Sequence, residues 1–152
     1  MGNGFPIGGI LVAPTFKAKH GMLGTTFGGN HLACAAALAV LEVIHEEGLI
    51  KAAENNGGYL MKELASIDML QNVRGKGLMI GFDVPEALKD LRKNLLQKQH
   101  IFTGEAKPNV VRLLPALSIG REEIDQFLTS LKEEIAQLNK VQNVQVSDTT
   151  KA

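Results

Sequence analysis

Two stretches of this sequence combine residue types that could do chemistry. The first, Gly24-Thr25-Thr26-Phe27-Gly28-Gly29-Asn30, sets three glycines and two adjacent hydroxyls directly before an alanine-rich segment with helical spacing. Backbone N–H groups at a helix N-terminus, with the positive end of its dipole, form a ready anion site. Glycines let such a backbone approach a phosphate closely, and Thr25 and Thr26 add hydroxyl donors. A glycine-rich connection with a capping residue would read the same way, so the pattern alone leaves both readings open. The second stretch is Val110-Val111-Arg112-Leu113-Leu114-Pro115, an apolar run interrupted by one guanidinium. Its fork geometry suits a carboxylate or phosphate, an amino acid's α-carboxylate among them. The alternative is a place for Arg112 on the solvent side of an edge strand.

The remaining reactive side chains point to less. Cys34 lies on the alanine-rich segment and reads as a buried small residue rather than a nucleophile. His20, His31, His45 and His100 lack metal-ligand spacing, and surface or capping roles are their default. His31 is the one next to the glycine loop. No lysine ends an apolar strand beside a glycine-rich turn, where an amine would be activated as a nucleophile.

The elements that must position these groups follow from periodicity. Residues 8–13, Gly-Gly-Ile-Leu-Val-Ala, predict a short buried strand stopped by Pro14. Residues 15–23 read as a polar connection. Residues 31–47 predict a strong helix, with Leu32, Ala35, Ala36, Ala39, Val40 and Val43 at three- and four-residue steps. Asn30 is its expected N-cap, and Gly48 its expected terminator. Residues 49–66 predict a second, amphipathic helix. Two short strands are expected within 71–84 around Arg74-Gly75-Lys76-Gly77, then a helix over 86–99. Ile101-Phe102 and residues 110–114 are expected strands flanking a turn at 105–109. The last helix is expected over 121–138, and the polar tail from Lys140 is expected to fray.

Composition restricts the class. Sixteen basic and sixteen acidic residues balance to zero, which removes the electrostatic case for a nucleic-acid partner. A single cysteine excludes an internal disulfide and suits a reducing, cytoplasmic compartment. No apolar run is long enough to span a bilayer, and the glycine-rich start lacks the cationic character of a secretory signal.

In this order the motifs resemble the class-III pyridoxal-phosphate-dependent aminotransferases, the acetylornithine/ornithine branch above all. Gly2-Asn3-Gly4-Phe5-Pro6-Ile7-Gly8 resembles the stretch that follows the family's catalytic lysine. Residues 24–30 with Leu32-Ala33-Cys34-Ala35-Ala36 are similar to its second signature. Val73-Arg74-Gly75-Lys76-Gly77-Leu78 and Val110-Val111-Arg112-Leu113-Leu114-Pro115 resemble its glycine turn and its late arginine strand. Two positions depart: His31 stands where proline is usual after Asn30, and Ala116 where a second proline often follows Pro115. Proline at a first helical turn is favourable but replaceable.

The resemblance implies an α/β architecture, the C-terminal part of a type I, aspartate-aminotransferase-like fold. Residues 1–47 would close the large cofactor domain, 48–139 would form a small α+β domain, and 140–152 a polar tail. It implies pyridoxal 5'-phosphate as cofactor, with Thr26 on its phosphate in the neighbouring subunit's active site. Thr25 would lie near the substrate, and Arg112 would meet the substrate α-carboxylate or a glutamate switch. The implied reaction moves an amino group between an N-acylated ornithine, acetylornithine first, and 2-oxoglutarate, in a homodimeric parent. Ornithine, succinylornithine and 4-aminobutyrate are alternative donors. The resemblance also implies that the Schiff-base lysine lies before Met1. The 152 residues are then expected not to transaminate alone, and no catalytic residue is assigned among them. A non-catalytic dimerisation or interaction module is the alternative of another class.

Overall fold

The structure, a computed structural model, describes residues 3–149 apart from Ala18, Leu23 and Pro108, with side chains through Lys140. Met1 and Gly2 of the first family-like stretch, Leu23 of the polar connection, Pro108 of the expected turn and the tail residues 150–152 lie outside it. The chain divides into two units, Met1–Leu49 and Ile50–Ala152.

In the first unit, capping sets the one regular element. Asn30 keeps an extended backbone while its side-chain oxygen accepts from the Ala33 N–H at 2.9 Å, which starts helix α1, His31–Glu46. The Asn30 amide also donates to the Phe27 carbonyl at 3.0 Å, tying loop to cap. Gly48, at φ +61°, supplies the left-handed step that ends the helix. The strand expected at 8–13 is not formed; Ile10, Leu11 and Val12 are exposed. A strand needs a partner for its backbone groups, and among the described residues none pairs with this segment. On α1 the buried residues are Ala33 and Ala37, while Leu32 and Val43 of the expected stripe are exposed. Cys34 is exposed too, contrary to the expectation of burial.

The second unit is an antiparallel sheet covered on one face by helices. Helix α2, Leu49–Ala65, leads into a hairpin of β1, Gln71–Lys76, and β2, Met79–Asp83. Gly77 takes φ +54° at the hairpin turn. A single 3-10 turn, Glu86–Leu88, precedes α3, Leu91–Gln99; the chain stays right-handed through Lys89 and Asp90, so the helix expected over 86–99 is broken but not redirected. Then come β3, Gly104–Lys107, β4, Val110–Leu113, and α4, Arg121–Thr149. The sheet order is β1-β2-β4-β3. Strand alternation sends Ile80, Phe82, Val111 and Leu113 to one face. There they meet Leu60 and Leu64 of α2, Leu91 and Leu95 of α3, and Ile124, Leu128 and Leu131 of α4.

Two expectations change around β3 and a third in α4. Ile101-Phe102 is not a strand, because the Ile101 N–H donates to the Leu95 carbonyl and closes α3 after left-handed His100. The strand is instead Gly104–Lys107, which begins before the expected turn and runs into it, because β4 offers a second edge that this segment fills. The last helix continues past residue 138 to Thr149 rather than fraying from Lys140.

Candidate functional site

The loop before α1 is built to leave donors open. Gly28 sits under the Thr25 methyl group, and a Cβ there would overlap it. Asn30 satisfies Ala33 with its side chain and Cys34 with its carbonyl, leaving the first N–H groups of the helix free. Thr25 and Thr26 are exposed, and among the described residues neither hydroxyl has a hydrogen-bond partner. Two free hydroxyls beside open amides at a positive helix end are the donor chemistry a phosphate requires, so the residues present fit that group.

In the second unit, the open face of the sheet carries the other candidate. The register aligns Arg74 of β1 with Gly81 of β2, and Gly81 and Gly104 with Arg112 of β4. Arg112 is thus exposed, but on an interior strand rather than the edge the alternative reading required. The other arginines are engaged. Arg74 donates to Asp83 at 2.8 Å and to the Asn72 carbonyl at 2.6 Å, Arg92 to Glu105 at 2.6 Å, and Arg121 lies 3.4 Å over the Tyr59 ring. Among the described residues Arg112 has no carboxylate within ion-pair distance and no hydrogen-bond acceptor. It borders a cavity of ≈ 690 Å³ lined also by Phe102, Thr103, Gly104, Pro115 and Phe127.

Asp83 belongs to the same face. Hydrogen bonds from the Asn72 amide and then from Arg74 hold its carboxyl below the usual aspartate range. This ion pair engages Arg74, so among the described residues Arg112 is the arginine left without a protein partner. Gly104 also belongs to this face: a glycine in a strand signals close approach of another group, here Arg112. His31 is exposed at the first position of α1, and His100 supplies the left-handed cap of α3. Among the described residues no cluster of His, Cys, Asp and Glu could hold a metal, and no helix is long and apolar enough to cross a membrane.

Known proteins similar to this chain include aminotransferases. The family model for aminotransferase class-III matches residues 1–135. An acetylornithine aminotransferase from Bacillus anthracis is 35% identical over 147 residues, covering 91% of this chain and 37% of that protein. The solved acetylornithine aminotransferase of Elizabethkingia anophelis is 31% identical with a TM-score of 0.70, over 79% of this chain and 33% of that one. An ornithine aminotransferase from Toxoplasma gondii, with PLP at partial occupancy in its active site, is 29% identical with a TM-score of 0.72, over 82% and 31%. This chain therefore spans about a third of the length of the relatives it matches. The architecture is part of the type I fold of these enzymes, and their cofactor is pyridoxal phosphate. By family model and by identity, the chain belongs to the class-III aminotransferases.

Proposed function

We propose that these residues serve a transaminase that exchanges an amino group between an N-acylated ornithine, acetylornithine first, and 2-oxoglutarate. The observation that carries the reading is Arg112: an exposed guanidinium on an interior strand, without a protein partner among the described residues. Its planar fork would take the substrate α-carboxylate bidentately and hold the amino acid in one orientation. Thr26 would donate to the cofactor phosphate through its hydroxyl and backbone, in the active site of a neighbouring subunit, and Thr25 would lie beside the substrate. When bound, pyridoxal phosphate supplies the electron sink, while the protein supplies orientation and electrostatics. On this reading residues 1–47 finish the large cofactor domain and 48–139 form the small domain of a cytoplasmic homodimer. The 152 residues by themselves would not transaminate, since no lysine here stands where the cofactor would be anchored.

The test is a chimaera in which this chain replaces the matching third of the Bacillus anthracis relative. Turnover should favour N-acetylornithine over ornithine and 4-aminobutyrate. Arg112→Ala should raise KM with the cofactor retained, and Thr26→Ala should weaken cofactor retention by about 1–3 kcal/mol, the scale of one hydrogen bond to a charged group. A chimaera that binds cofactor yet keeps its KM in Arg112→Ala removes Arg112 from substrate binding. Stoichiometric borohydride fixation of pyridoxal phosphate on one lysine of the chain alone would overturn the statement about the anchor.

A further inference from the structure

Arg112 has a glycine on each side of it in the sheet, Gly81 on β2 and Gly104 on β3. Directly opposed residues on antiparallel strands lie close enough for their side chains to set one another's position. A glycine inside a strand weakens it, so two flanking the same side chain call for a reason. The two are not equivalent. An ideal Cβ at Gly81 would meet the Val111 carbonyl at 3.7 Å and Val110 Cγ1 at 4.0 Å, both ordinary contacts. At Gly104 it would lie 3.1 Å from the Arg112 carbonyl, 3.3 Å from Arg112 Nε and 3.6 Å from Arg112 Cβ. The Arg112 side chain therefore leans across Gly104, and both residues line the same ≈ 690 Å³ cavity.

We infer that Gly104 is a positioning residue for Arg112: the missing side chain leaves the lane in which the guanidinium stem lies, and so sets the direction of its fork. This builds on the reading of Arg112 as the carboxylate receptor. Gly81, opposite the same residue, has no such role, because a methyl group fits there without touching Arg112. With Ala at 104, Arg112 Nε must give by a few tenths of an ångström, as must the nearer Arg112 carbonyl, and the N–H groups of the fork move with Nε. A bidentate pair depends on both bonds being aligned at once, so a displaced fork keeps one and loses the other.

The experiment uses the full 152-residue chain labelled with nitrogen-15 in arginine. Arg74, Arg92, Arg112 and Arg121 are its only arginines, so the Nε–H resonances are few. Glutarate serves as the probe. Gly104→Ala should shift the Arg112 resonance, leave the other three in place, and weaken glutarate binding roughly tenfold, the scale of one lost hydrogen bond. Gly81→Ala should leave the Arg112 resonance and the affinity as they are. Equal effects of the two substitutions, or an unmoved Arg112 resonance in Gly104→Ala, would overturn the inference. A wild-type Arg112 that ignores glutarate, with its resonance still moved by Gly104→Ala, refutes the receptor reading and leaves the positioning role standing. Should Gly104→Ala fail to fold, the double variant with Arg112→Ala decides. Restored folding assigns the conflict to the Arg112 side chain, while persistent unfolding assigns it to the Arg112 carbonyl and overturns the proposal.

Discussion

Two adjacent glycines on α2 should respond to the same substitution with opposite signs. Gly57 is buried against the β1–β2 turn, where an added Cβ would overlap the Gly77 carbonyl and lie 2.9 Å from Gly77 Cα. Gly58, one residue on, is exposed and has nothing within 4 Å of such an atom. Both sit inside Leu49–Ala65, so both would gain helix propensity on change to alanine, about 0.5–1 kcal/mol. Nothing opposes that gain at Gly58, and Gly58→Ala should stabilise by that amount. At Gly57 the obstacle is backbone, held by a turn whose glycine already needs φ +54°. No rotamer can relieve it. Overpacking of this kind costs about 1–3 kcal/mol, and the upper end is appropriate where backbone must move. Setting about 3 against about 1 leaves Gly57→Ala destabilised by roughly 2 kcal/mol, close to 3 kcal/mol from its neighbour. Urea unfolding of the two variants reads this difference as opposite shifts in midpoint at unchanged slope. Equal midpoints would refute the claim that close approach of α2 to the hairpin turn requires Gly57.

Three further outcomes follow from charges and rings. Asp83 has a depressed folded-state pKa, so its contribution is present above the unfolded value and is lost as pH falls through the folded one. Asp83→Asn should therefore flatten the acid limb of stability below the aspartate range and leave the shape near neutrality alone, as urea midpoints against pH will show. The Tyr59 hydroxyl donates to Asp125 Oδ1 at 2.6 Å, and this bond above all raises its pKa. Its contribution is present at neutral pH and is lost as pH rises through the raised value. Tyr59 is the single tyrosine in a chain without tryptophan, so tyrosinate absorbance titrates it alone, and Asp125→Asn should bring that titration down toward the ordinary range. Glu134 of α4 is fully buried and accepts from Gln99 at 3.0 Å and from Lys98 at 3.4 Å. Glu134→Ala should cost about 1–3 kcal/mol by leaving the Gln99 amide unpaired, whereas Glu134→Gln, which keeps a carbonyl oxygen to accept from that amide, should stay within about 1 kcal/mol of wild type. A Gln variant as weak as the Ala variant would contradict this.

Local chemistry was legible wherever a residue acts on its near neighbours. Asn30 caps α1, Gly48 ends it, and Gly77 turns the hairpin of β1 and β2. The ordered motifs also gave the family, because each is a short run whose identity survives without coordinates. Other features depend on what a segment meets. Residues 8–13 have strand composition but pair with nothing among the described residues, and Glu105–Lys107 has turn composition yet pairs with β4, because hydrogen-bond partners are assigned across the chain and not within a window. Burial of Glu134 arises from the packing of α3 on α4, which its periodicity alone does not specify. Arg112 illustrates the division best. Its identity and its apolar flanks marked it in the sequence as a candidate for binding a carboxylate or phosphate, with the solvent side of an edge strand as the alternative. Tertiary structure decided that its strand is interior, that Arg74 is engaged by Asp83, and that Gly104 lies beneath the guanidinium stem. The first needs β4 to pair with both β2 and β3, and the other two come from register within the β1–β2 and β3–β4 hairpins, which a linear pattern does not encode.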